Sequence, residues 1–104
     1  MNHKQITQTR DGLAQQLPPL NQVLRGSLLH RVNRHKQGCP KCARGEGHLI
    51  WVLTVSYPGK KCKQVCLQPQ QLPQVRRWLR NYRKLRQQLE AISDLNQQLL
   101  RPEP

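Results

Sequence analysis

Residues 49–67 read LIWVLTVSYPGKKCKQVCL, and the alternation in this stretch decides the fold. Leu49, Trp51, Leu53, Val55 and Tyr57 fall on one face of an extended strand, while Thr54 and Ser56 fall on the other. Pro58-Gly59 breaks the run. Alternation resumes from Lys60 to Leu67, with Lys61, Lys63, Val65 and Leu67 opposite Cys62, Gln64, Cys66 and Gln68, so the two runs predict a hairpin. Pro-Gly favours a type II turn, whose twist suits a two-residue hairpin poorly, and the connection is therefore expected to be wider than two residues.

Working upstream, Val23 to Arg34 is short and carries Gly26 near its start. It is expected to be a third strand, with Leu28, His30 and Val32 on one face. Between the strands, Gln37 to His48 holds Gly38, Gly45 and Gly47 with Cys39, Pro40 and Cys42 and no apolar period, which reads as a structured loop. The first twenty residues, with Gln at 5, 8, 15 and 16, Gly12 and Pro18-Pro19, show no sustained periodicity. They are expected to form a flexible arm with at most a helical turn near Leu13 to Leu17.

Downstream, the chain after Pro69 reads as one long helix ending before Pro102, because no Gly or Pro interrupts Gln74 to Arg101. At roughly 28 residues it would be about 42 Å long, more than the hairpin can cover. Val75, Trp78, Tyr82, Leu85, Leu89, Ile92, Asn96 and Leu99 follow alternating steps of three and four, a seam with Asn96 at an a position. Its C-terminal part, Leu89 to Leu100, is expected to pair with another helix of this chain or of a second one. The sequence thus predicts an α+β protein, a small antiparallel sheet followed by one long C-terminal helix. Its segments are an arm at 1–20, the sheet with its Cys/Gly-rich loop at 21–68 and the helix at 69–101.

The chain is 104 residues long, and 18 Lys+Arg against 5 Asp+Glu give it a formal charge of +13. Hydrophobic residues make up 36% and Phe is absent, so the core must be thin. No apolar run of about eighteen residues is present, and Met1 to Leu20 lacks the apolar core of a secretory leader. A cytoplasmic protein with reduced cysteines and no membrane partner is expected.

The charge is concentrated. Arg76, Arg77, Arg80, Arg83 and Lys84 lie opposite the helix seam, and the helix acids Glu90 and Asp94 come only after them. A single-sign stripe of this kind suits phosphate contacts, because each cation that neutralises a phosphate releases condensed counterions. Lys36, Lys41 and Arg44 in the loop, and Lys60, Lys61 and Lys63 at the hairpin, form a second basic region. The aromatic residues are too few to suggest a base-stacking sheet, and no helix-turn-helix spacing is present, so sequence-specific readout is not expected.

Cys39-x2-Cys42 followed after 19 residues by Cys62-x3-Cys66 is similar to a zinc ribbon, in which four thiolates hold one zinc ion. That reading requires the second strand to bend at Cys62 and Cys66. His35 and His48 are alternative ligands, and free thiols are the alternative to any metal. Cys-Pro-Lys-Cys lacks the βαβ surroundings of a redox motif. Glu46 is the only acid between Asp11 and Glu90, which leaves little material for carboxylate catalysis or a two-metal nuclease site. Arg44-Gly45-Glu46-Gly47-His48 lacks the ending of a phosphate loop and reads as a tight turn.

Several segments together, Arg-Gly-Ser-Leu at 25–28, Cys-Ala-Arg-Gly-Glu-Gly-His at 42–48, Val-Arg-Arg-Trp-Leu-Arg-Asn-Tyr-Arg-Lys-Leu at 75–85 and Ile-Ser-Asp-Leu-Asn at 92–96, carry a resemblance. The chain resembles a family of short bacterial and archaeal proteins without an assigned activity. The resemblance spans Arg25 to Asn96 and implies a hairpin plus a long helix; the chain departs from the family pattern at Cys62 and Cys66. The residues themselves lead to two expectations. One is a non-catalytic accessory protein that binds DNA or RNA through its phosphates. The other is an interaction module whose helix seam pairs with a partner helix or a second copy, its charge adapted to an acidic partner.

Overall fold

Strand β2, His48–Tyr57, is the centre of a three-stranded antiparallel sheet of order β1-β2-β3, flanked by β1, Ser27–Asn33, and β3, Lys61–Leu67. The computed structural model describes residues 1–33 and 48–103, with the backbone only at 33 and 48. Both ladders run without interruption: Ser27 pairs with Thr54 through to Asn33 with His48, and Trp51 pairs with Leu67 through to Tyr57 with Lys61. The α+β class read from the sequence is the observed one, a sheet followed by a long helix. The hairpin connection is three residues wide, Pro58 to Lys60, and Gly59 has the φ of 81° that a type II turn demands at its third position.

Residues Arg25–Arg76 form one compact unit. Leu53 and Val55 are buried on the face of β2 to which alternation gives the apolar run, and Gly26 approaches them closely. A Cβ at Gly26 would lie 2.9 Å from Leu53 Cδ1 and from the Thr54 carbonyl, and its φ of 147° is one that L side chains rarely adopt. The opposite face is not simply polar, since Val52 is the most buried side chain of the sheet. The ladder explains this. Arg31 pairs with Ile50 and Gln64 with Thr54, and Arg31 Nη2 donates to Gln64 Oε1 at 3.3 Å, so this pair spans β2 across Val52. Burial of each such aliphatic side chain contributes about 1.5–3 kcal/mol. At the far end of β3, a single 3-10 turn, Pro69–Gln71, leads into helix α2, Leu72–Leu99, whose first turn buries Leu72 and Val75.

Met1–Leu24 and Arg77–Pro104 form the second unit. Here the structure corrects the sequence reading: instead of a flexible arm, residues His3–Gln15 form helix α1. Its start is fixed by a capping box, with Asn2 Oδ1 accepting from the Gln5 N–H at 2.8 Å and Gln5 Oε1 accepting from the Asn2 N–H at 2.9 Å. Gly12 is accommodated inside the helix at the usual cost of about 1 kcal/mol relative to Ala. The following segment is tied to α2, with the Leu24 N–H donating to the Trp78 carbonyl and Asn81 Nδ2 to the Gln22 carbonyl.

Helix α1 lies antiparallel to the C-terminal part of α2. His3 Nε2 is 2.9 Å from the Arg101 carbonyl, Arg10 Nη1 donates to Asn96 Oδ1 at 3.2 Å, and Gln88 Nε2 donates to the Gln16 carbonyl at 2.9 Å. The seam is rotated from the expected one. Leu89 is 51% exposed and Asn96 is exposed, while Gln88 and Leu95 are buried. The covered stripe is Trp78, Asn81, Leu85, Gln88, Ile92, Leu95 and Leu99, again in steps of three and four. Asn96 is therefore a rim residue hydrogen-bonded to α1 and not a buried register-setting amide. Among the described residues, no helix is long and apolar enough to cross a membrane.

Candidate nucleic-acid interface

The basic face of α2 is laid out by helical period alone. Arg76, Arg77, Arg80, Arg83, Lys84 and Arg86 are all exposed; Arg76, Arg80, Arg83 and Arg86 lie on the side away from the buried stripe, whereas Arg77 and Lys84 border it beside Asn81 and Gln88. The only ion pair among the described residues joins Arg10 to Asp11 at 3.1 Å. None of the helix cations is therefore neutralised by an acid among those residues, and each adds to a field that attracts polyanions. Arg76 has a further contact within its own unit, its guanidinium lying 5.3 Å from the centroid of the Trp51 ring.

The hairpin tip gathers a second set of cations. Lys61 pairs with Tyr57 and Lys63 with Val55, which places both lysines on the same face of the sheet as the Tyr57 ring. Lys60 sits in the turn at φ 62°. Arg25, which sequence reasoning did not single out, joins them: its Nη1 donates to the Ser56 carbonyl at 2.6 Å and its guanidinium lies 5.1 Å from the Tyr57 centroid. Arg25 stands just before β1, whose pairing of Ser27 with Thr54 leads it toward Ser56 and Tyr57. Arg44, with Lys36 and Lys41, lies outside the described residues.

The cysteine pairs divide in the same way. Cys62 and Cys66 are exposed thiols on one face of β3. The strand does not bend between them, so they stand about 13 Å apart along it, whereas two sulfurs on one tetrahedral zinc are about 3.8 Å apart. The bend that a four-thiolate site requires is not made. Cys39, Cys42 and His35, and the side chain of His48, lie outside the described residues. Among the described residues, no three His, Cys, Asp or Glu side chains come together.

One arrangement was not anticipated. The rings of His30 and Trp51, directly opposite on β1 and β2, stack with centroids 4.0 Å apart and planes within 3°. Each lies on the face carrying Leu53 and Val55, and alternation alone could not reveal their pairing because it depends on the register between strands. No protein-family model, curated protein or solved structure matches the chain.

Proposed function

We propose that this chain is a non-catalytic nucleic-acid-binding accessory protein that holds a phosphate backbone through Arg76, Arg77, Arg80, Arg83 and Lys84, aided by Lys60, Lys61 and Lys63. The observation that carries this reading is the exposed cationic face of α2, which no acidic side chain among the described residues neutralises. A face built only for solvation would mix signs along the helix, whereas Glu90 and Asp94 both lie beyond the cationic run. The alternative, an interaction module that pairs through its C-terminal seam, has less to stand on, because α1 of the same chain already lies against this part of α2, where Gln88 and Leu95 are buried.

Titration with duplex and single-stranded oligonucleotides at about 50 and about 200 mM salt tests the proposal. Six or more phosphate contacts should lower affinity by roughly 10³ across that interval. Binding that is indifferent to salt, or absent at low salt, would overturn it.

A further inference from the structure

Face and register together create a feature that phosphate contacts leave unused. His30 is exposed while its ring is stacked on Trp51, and Arg76, the first cation of the basic face, lies against the same indole. The next cross-strand pair on this sheet face is Val32 with Leu49, and these side chains are 48% and 68% exposed. A single exposed leucine is ordinary. Here two neighbouring cross-strand pairs on one face leave a parallel π stack and two aliphatic side chains open to water, with a cation at the edge.

We propose that the His30–Trp51 stack, flanked by Val32 and Leu49 and with Arg76 beside it, is a stacking platform for an unpaired nucleobase, so that the protein prefers single-stranded nucleic acid to duplex. The inference rests on the nucleic-acid reading above and adds the form of the ligand. The chemistry matches at each point. A base offers a flat π face, which extends the column that His30 and Trp51 begin, and its edge can lie on the aliphatic pair. Arg76 is already oriented by the indole, and it keeps exposed N–H donors for the phosphate attached to that base. In a duplex the base faces are buried in the stack, so a duplex can engage only the cations. Stacking tolerates any base, in keeping with the absence of a sequence-reading motif.

The test compares four probes of about ten nucleotides: oligothymidylate, oligouridylate, an abasic oligodeoxynucleotide with the same phosphates, and a duplex. The expected result is that wild type binds oligothymidylate at least about fivefold more tightly than the abasic strand, with quenching of tryptophan fluorescence by the former only. His30→Ala should abolish that preference and leave duplex affinity unchanged. Oligouridylate against oligothymidylate tells whether RNA or DNA is the better source of the base. Equal affinity of wild type for the oligothymidylate and abasic strands would overturn the platform while leaving phosphate binding intact. No binding of any probe at low salt would overturn the underlying reading and the platform with it. If His30→Ala fails to fold, the abasic comparison and the quenching on wild type decide the matter alone.

Discussion

Gln88, on the long helix, donates its amide to the carbonyl of Gln16, the C-cap of α1, at 2.9 Å and across 72 positions of sequence. The Gln88 side chain is buried, and its Oε1 has no hydrogen-bond partner among the described residues. One strong bond and one unmet acceptor thus share a side chain. Gln88→Ala leaves the Gln16 carbonyl without its donor and should lower unfolding free energy by about 1–3 kcal/mol in urea. Gln88→Met keeps the stem and removes the unmet oxygen along with the donor, so its loss should be smaller. Wild-type stability of Gln88→Met would mean that the amide contributes nothing specific.

Among the described glycines, Gly26 is the one with no room for a side chain. Gly26→Ala places a methyl group 2.9 Å from Leu53 Cδ1 and from the Thr54 carbonyl, at a φ of 147°. Overpacking and backbone strain together should cost about 2–4 kcal/mol. Thermal unfolding of the variant should show a clearly lowered midpoint, and a wild-type midpoint would disprove the tight approach.

For the cationic face, the combined change of Arg76, Arg80 and Arg83 to Gln should weaken binding to every nucleic acid and flatten the slope of log affinity against log salt by about three units. Helix content by circular dichroism should stay as in wild type, because the three side chains are exposed. An unchanged slope with intact helicity would remove the phosphate-binding reading.

Cys62 and Cys66 should both react with a thiol reagent in the folded protein at the rate of free thiols, since both are exposed. Metal analysis of Cys62→Ser with Cys66→Ser should give the same zinc content as wild type. A fall in zinc on losing that pair would mean that β3 leaves its regular ladder to make a metal site.

How far the sequence could be read depends on the signal each element carries. The hairpin and α2 announce themselves through alternation, Pro58-Gly59 and a long stretch free of Gly and Pro, and the helix falls at Leu72–Leu99 within the expected segment. Helix α1 was hidden because it buries only Ile6 and contains Gly12; its legible sign was Asn2 followed three residues later by Gln5. The seam was misplaced because a hydropathy pattern follows Leu89 and passes over Gln88, whose burial depends on a carbonyl that only the folded α1 supplies. The cations of the candidate site could be named from composition and helical period. Arg25 and His30 could not, because their neighbours Tyr57 and Trp51 are reached through tertiary approach and strand register.

Lys60 completes the hairpin in a left-handed conformation, φ 62°, directly after Gly59 at φ 81°. For a side chain with a Cβ that conformation costs about 1–2 kcal/mol, and Gly or Asn would hold the same backbone with less strain. Local sterics therefore argue against lysine at this tip, and a sequence chosen for stability alone would not place one there. The turn gives up conformational ease at this position and sets an exposed lysine at the tip of the hairpin, so Lys60→Gly should ease the backbone while removing one charge from the tip.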